Sequence, residues 1–230
     1  PIMTSPLLLE SVVLEPTRPA DAAVIWLHGL GASGFDFPPI VPELGLPTDH
    51  GIRFVFPHAP KIPVTVNGGM VMPAWYDILA MDFDRKVDEP GVRGSAEHLA
   101  RLIGREQERG IPPERVVLAG FSQGGAIALH QALRHPDKLA GLVLLSTYIA
   151  ADCDLENERA PANSEIPIFQ AHGTQDPMVT HPMGMAARER LGALGYQVQW
   201  HEYPMEHQVV AEEITALGTW LRDVLGNTPG

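Results

Sequence analysis

The feature that most constrains this chain is the pentapeptide Gly120-Phe121-Ser122-Gln123-Gly124, set between the apolar run Val116 to Ala119 and a stretch rich in Ala and Leu that Pro136 stops. A buried strand turning this tightly into a helix leaves the flanking positions little room beyond hydrogen at Cα, and it holds the serine hydroxyl above a sheet, clear of its neighbours. The pattern is a nucleophile elbow, and its placement between strand and helix is what gives a short motif its weight.

The rest of the chain supplies the sheet that such an elbow needs. Short apolar runs at Val24 to Leu27, Phe54 to Phe56, Val116 to Ala119, Leu142 to Leu145, Ile168 to Ala171 and Val198 to His201 end in turn-forming residues. Their hydrophobicity is continuous rather than alternating, which predicts burial on both faces in a parallel sheet covered by helices. Helical spacing is found in Ser95 to Glu108, Gly124 to Arg134 and His181 to Leu194, with a closing helix over Val209 to Leu225. Leu7 to Leu14 is expected to form an antiparallel edge hairpin. Ala59 to Asp77, rich in Pro and Gly with scattered Val and Met, reads as a long loop of the kind that covers a binding cleft.

A serine hydroxyl at neutral pH is a weak nucleophile, so it needs an imidazole to take its proton and a carboxylate to orient that imidazole. In this arrangement the acid and the base follow the serine in chain order, each beyond a later strand. Asp176 follows Ile168 to Ala171, and His207 follows Val198 to Tyr203. Asp152 and Asp154 also follow a strand, but one position too early, and read as a solvated acidic pair. Of the ten histidines, His50, His98, His130, His135, His181 and His201 lack a surrounding motif and read as structural or exposed, while His172 reads as a buried imidazole bonded to nearby backbone. No spacing suits a zinc site, so no metal and no cofactor is expected. Acyl transfer also needs two backbone donors aimed at the developing oxyanion. Gln123 N–H is the first candidate, and Leu30 N–H the second, in the glycine-rich run His28-Gly29-Leu30-Gly31-Ala32-Ser33-Gly34. That run lacks the Lys and following Ser or Thr of a phosphate loop and does not fit a dinucleotide fingerprint.

Five blocks in order carry a family resemblance: Trp26-Leu27-His28-Gly29-Leu30-Gly31, Pro73-Ala74-Trp75-Tyr76-Asp77, Ala119-Gly120-Phe121-Ser122-Gln123-Gly124-Gly125, His172-Gly173-Thr174-Gln175-Asp176-Pro177 and Tyr203-Pro204-Met205-Glu206-His207. With them the chain resembles the bacterial carboxylesterases of the phospholipase/carboxylesterase family, related to acyl-protein thioesterases and lysophospholipases. The resemblance implies an α/β-hydrolase fold without a large cap domain, the triad Ser122, Asp176 and His207, and an oxyanion hole from Leu30 and Gln123. It further implies an acyl groove under the 59–77 segment, lined by Met70, Met72, Trp75, Ile78, Leu79 and Met178, and it allows a homodimer. Glu206 departs from the pattern, because similar sequences often carry glycine there. A backbone costly for Glu, or a carboxylate favouring imidazolium at His207, would follow.

Composition narrows the remaining classes. A formal net charge of −12 with no basic run argues against nucleic acid and anionic lipid heads as partners. No apolar run approaches the roughly 20 residues of a membrane helix and no signal segment opens the sequence, so no stable membrane insertion is expected. Cys153 is the only cysteine, which suits a reducing, cytoplasmic setting. Pro1-Ile2 ahead of Met3 reads as a processing remnant, so a single domain over 3–228 is expected. The expected activity is hydrolysis of a small-molecule ester or thioester, foremost of short- to medium-chain carboxylic esters. Longer acyl chains, as for a lysophospholipase or acyl-protein thioesterase, are the alternative within the class. A ligand-binding homologue that has lost catalysis is the alternative outside it.

Overall fold

Short runs rich in Val, Ile, Leu and Phe, each closed by a turn, become the central strands because only a sheet covered on both sides buries such residues completely. The computed structural model describes residues 7–80, 87–152 and 154–226. Its strands are β1 (Ser11–Leu14), β2 (Ala22–Leu27), β3 (Ile52–Pro57), β4 (Lys61–Val64), β5 (Met70–Pro73), β6 (Val116–Phe121), β7 (Gly141–Leu145), β8 (Ile168–Gly173) and β9 (Val198–Tyr203). Its helices are α1 (Glu89–Glu108), α2 (Gln123–Arg134), α3 (Leu155–Glu158), α4 (His181–Ala193) and α5 (Ala211–Leu225). Seven strands form one sheet in the order β1-β3-β2-β6-β7-β8-β9. All neighbours are parallel except β1 and β3. This is the α/β-hydrolase fold with no large cap among the described residues. Cys153 and the ends of the expected 3–228 span lie outside those residues.

Alternate side chains of each central strand feed two separate cores. Ala23, Ile25, Leu27, Val116 and Leu118 pack with Val92, Leu99 and Ile103 of α1 and Ile127 and Leu129 of α2. Ala22, Val24, Trp26, Val117 and Ala119 pack instead with Ile214, Leu217, Trp220 and Leu221 of α5 and with Leu44. Each fully buried aliphatic side chain contributes about 1.5–3 kcal/mol. β9 departs from the expected pattern, since it is only partly buried. Among the described residues it is an edge strand with a sheet neighbour, β8, on one side only.

Three expectations are corrected. The helix expected to start at Ser95 starts at Glu89, because the Asp88 carboxylate accepts from Gly91 N–H at 3.1 Å and Pro90 suits a first turn. The N-terminal hairpin is a single edge strand whose partner, β3, lies far along the chain. The loop expected over Ala59 to Asp77 contains a two-stranded hairpin, β4 with β5, in the register Val64 with Met70 and Ile62 with Met72. It turns at Gly68 and Gly69, both at positive φ. With no third strand beside them among the described residues, Pro63 and Pro73 interrupt no further ladder. Among the described residues no helix is long and apolar enough to cross a membrane.

Candidate active site

The site lies at the carboxyl ends of the parallel strands, where the elbow between β6 and α2 raises Ser122. Ser122 adopts φ 55° and ψ −122°, a conformation costly for a residue with a side chain. It is held there from several sides. Ser122 N–H donates to Leu145 O at 2.9 Å, and its carbonyl accepts from Gly125 N–H at 2.9 Å and from Thr147 Oγ1 at 2.6 Å. The glycines on either side are obligatory by contact: a Cβ on Gly120 would sit 2.3 Å from Gly124 O, and one on Gly124 would sit 2.4 Å from His28 O. Strand, helix and the loop after β2 therefore close on one another without intervening side chains.

His207 lies on the segment between β9 and α5. Its Nε2 is 3.0 Å from Ser122 Oγ, and its Nδ1 is 2.7 Å from Asp176 Oδ2. Asp176, beyond β8, is buried, and its other oxygen accepts from Met178 N–H at 2.9 Å and Val179 N–H at 3.0 Å. The His207 ring lies against that of Phe121, tilted by 43° with centroids 4.8 Å apart. Two donors from a tight turn thus fix the carboxylate, the carboxylate fixes the imidazole, and the imidazole meets the hydroxyl. The two loops meet because Gly173 lacks a side chain, as a Cβ there would be 2.3 Å from Met205 O and 2.6 Å from Glu206 O.

The other carboxylates lie elsewhere. Asp152 pairs with Arg190 of α4 at 3.0 Å, and Asp154 approaches Arg93 of α1 at 3.7 Å. His172 is fully buried with Nε2 2.8 Å from Val179 O, and burial lowers its pKa. Glu206 is exposed, and its φ is not positive, so no glycine-like backbone is forced on it. Among the described residues no cluster of His, Cys, Asp or Glu could hold a metal.

Gln123 opens α2 and Leu30 follows β2, and among the described residues no backbone carbonyl accepts from either N–H. Gln123 N–H stands at the positive end of the helix dipole, where negative charge is favoured. A cavity of about 390 Å³ opens against Ser122. Its wall includes Leu30, Phe37, Val66, Ile78, Tyr148 and Met178. Of the expected lining residues, Ile78 and Met178 are therefore present, and four are not. Met70 is 64% exposed on the hairpin. Met72 lies against Gly31 and Asn67, and Leu79 borders a separate small hollow. Trp75 is buried, with its indole N–H bonded to His28 O.

Several participants escaped the sequence reading. Tyr148, just after β7, lines the cavity, and its hydroxyl bonds to that of buried Tyr76. Burial raises the pKa of both phenols. The rule that open parallel sheets bind ligands beyond their strand ends could have singled Tyr148 out. The Gln123 side chain also bonds to Trp75 N–H and Tyr76 O, both at 2.7 Å. His28 is buried, takes Ala59 N–H on Nε2 at 3.0 Å and meets Gly29 O through Nδ1 at 2.7 Å, and burial lowers its pKa. No pattern in the sequence marks these last two contacts.

Comparison with known proteins bears on this geometry. A family model described as phospholipase/carboxylesterase matches residues 9–225. An acyl-protein thioesterase 1 of Neurospora crassa is 39% identical over 213 residues, covering 89% of this chain and 87% of that protein. Among solved structures, Arabidopsis thaliana SOBER1 superposes with a TM-score of 0.84 at 31% identity over 89% of this chain and 99% of that one. Zea mays acyl-protein thioesterase 2 superposes with a TM-score of 0.83 at 29% identity over 94% and 99%. These relatives are fungal and plant proteins, so the match bears on the family and not on the bacterial branch suggested by the sequence blocks.

Proposed function

Because this chain belongs to the phospholipase/carboxylesterase family, we propose that it is a serine hydrolase that opens acyl esters and thioesters through an acyl group carried on Ser122. The observation that carries the reading is the unbroken relay from Asp176 Oδ2 to His207 Nδ1 at 2.7 Å and from His207 Nε2 to Ser122 Oγ at 3.0 Å. His207 takes the hydroxyl proton as Oγ bonds to the substrate carbonyl carbon, and Asp176 stabilises the imidazolium that forms. The carbonyl oxygen becomes an oxyanion facing Leu30 N–H and Gln123 N–H. Collapse breaks the bond to the leaving oxygen or sulfur, which receives the proton from His207. Water then repeats the sequence, releasing the acid and restoring Ser122.

The family match over 9–225 supports a single domain across 3–228. Occupied triad positions in hydrogen-bonding reach count against a binding protein that has lost catalysis. Two finer readings have specific support. A cavity near the lower end of the roughly 300–1,000 Å³ usual for small-molecule sites supports short- to medium-chain carboxylic esters. The name of the fungal relatives, acyl-protein thioesterase 1, supports thioesters of acyl groups on proteins, and the absence of a cap among the described residues leaves space for such a leaving group. The longer-chain reading extends to lysophospholipids, and the cytoplasm is the expected location for either. Initial rates on p-nitrophenyl esters of increasing chain length, with Ser122→Ala in parallel, test the proposal. Activity abolished by Ser122→Ala is expected, and a peak at short chains favours the first reading. A peak at long chains, together with release of palmitate from a labelled palmitoyl protein, favours the second. Full activity in Ser122→Ala would overturn both.

A further inference from the structure

The two backbone donors proposed for the oxyanion belong to different parts of the chain, one after β2 and one at the start of α2, yet they must face a single oxygen atom. The segment Pro73–Tyr76 joins them. Gly31 N–H donates to Pro73 O at 2.8 Å, and Trp75 Nε1–H donates to His28 O at 2.7 Å, so Leu30 lies between two peptide groups anchored to this one segment. On the other side, Trp75 N–H donates to Gln123 Oε1 and Gln123 Nε2–H donates to Tyr76 O, both at 2.7 Å. The Trp75 carbonyl accepts from Ser95 Oγ of α1, which ties the segment to the core. The indole also lies against the His28 ring, with centroids 5.2 Å apart, and is 3% exposed.

The structure assigns Trp75 as a positioning residue that sets the separation and aim of the Leu30 and Gln123 N–H groups. Among the described residues it alone bonds to both sides, through its indole N–H to the Leu30 loop and through its main-chain N–H to the side chain of Gln123. This assignment rests on the proposed oxyanion roles of those two residues. Trp75 is not part of the cavity wall and acts through the two donors.

Trp75→Phe retains a ring and the main-chain bond while removing the indole N–H, leaving His28 O without that donor. Deleting a whole oxyanion donor costs about 100- to 1,000-fold in kcat, and a misaimed one loses part of that, so a fall of about 10-fold is expected. The fall should appear in kcat for p-nitrophenyl butyrate, with KM changed less than about twofold. Affinity for an alkyl trifluoromethyl ketone, which forms a tetrahedral oxyanion on Ser122, should weaken by a similar factor, while affinity for the matching alkyl alcohol holds. A core-packing role would lower thermal stability without that split. If Trp75→Phe does not fold, Gln123→Met, which breaks the other half of the bridge, is measured in the same way. Unchanged kcat and ketone affinity, or a rise in KM alone, would overturn the assignment. Ser122→Ala separates the two levels: an active Ser122→Ala sinks the proposed reaction, whereas an inactive one beside an unaffected Trp75→Phe sinks only the role of Trp75.

Discussion

Replacing Asp176 by Asn removes one charge while keeping the shape of the side chain, and the structure determines which way the new amide must face. Asp176 Oδ1 accepts two backbone N–H groups, from Met178 at 2.9 Å and Val179 at 3.0 Å. An amide nitrogen placed there would leave both donors unpaired, the buried Val179 N–H at about 1–3 kcal/mol, so the Asn oxygen takes that side. Its NH₂ then points at His207 Nδ1, where Oδ2 stood 2.7 Å away. Nδ1 must become an acceptor, the imidazole proton moves to Nε2, and Nε2 can no longer take the proton of Ser122. The expected loss is about 10,000-fold in kcat at neutral pH, or about 5.4 kcal/mol at 1.36 kcal/mol per tenfold. Burst and steady-state kinetics on a p-nitrophenyl ester measure it, and the rate of phosphonate labelling at Ser122 should fall in parallel. Asp152→Asn is the control, since it loses only a partly exposed pair with Arg190, worth about 0.2–1 kcal/mol of stability, and should keep its activity. More than a tenth of the activity remaining in Asp176→Asn would refute the relay.

Three further outcomes are expected. Gly173→Ala should push the Met205–His207 turn away by its contacts with Met205 O and Glu206 O, lowering both stability, by about 1–3 kcal/mol, and kcat; a kcat equal to wild type would show that the turn yields without moving His207. Glu213, fully buried at the start of α5, has its pKa raised by burial from 4.5 to about 8. Between those values the folded state holds a proton that the unfolded chain has released, so stability falls as pH rises from about 4.5 to 8. Glu213→Gln should flatten that slope in thermal melts taken across the interval, and an identical slope in both proteins would count against a raised pKa. Glu206→Gly should leave kcat at neutral pH unchanged, because Glu206 is exposed and its φ is not positive; a changed kcat would show that Glu206 acts on the placement of His207.

Much of the site was legible because its chemistry is written into short contiguous blocks. The elbow needs glycine at position 120 because a Cβ there would meet Gly124 O within the turn, and at position 124 because one would meet the backbone of Leu27 and His28 beside it. The order of Ser122, Asp176 and His207 follows from parallel strands whose ends all open on one side of the sheet. Continuous apolar runs announced β2, β3, β6, β7 and β8, because burial on both faces removes any reason for alternation. What periodicity could not announce was which segments pair. The edge element expected over Leu7 to Leu14 pairs with β3 rather than with itself, and β4 and β5, read as loop, face each other across Gly68 and Gly69.

Residue types and their local spacing thus determined the α/β class, the candidate nucleophile with its acid and base, and the stretches that supply the two backbone donors. Tertiary structure decided which side chains border the cavity, sending Trp75 into the bridge between the donors and bringing in Tyr148 from beyond β7. The physical reason is range. An elbow, a cap or a buried strand is specified by steric and solvation effects within a few residues, whereas a cavity wall is the sum of contacts between segments whose separation along the chain carries no signal of their distance in space.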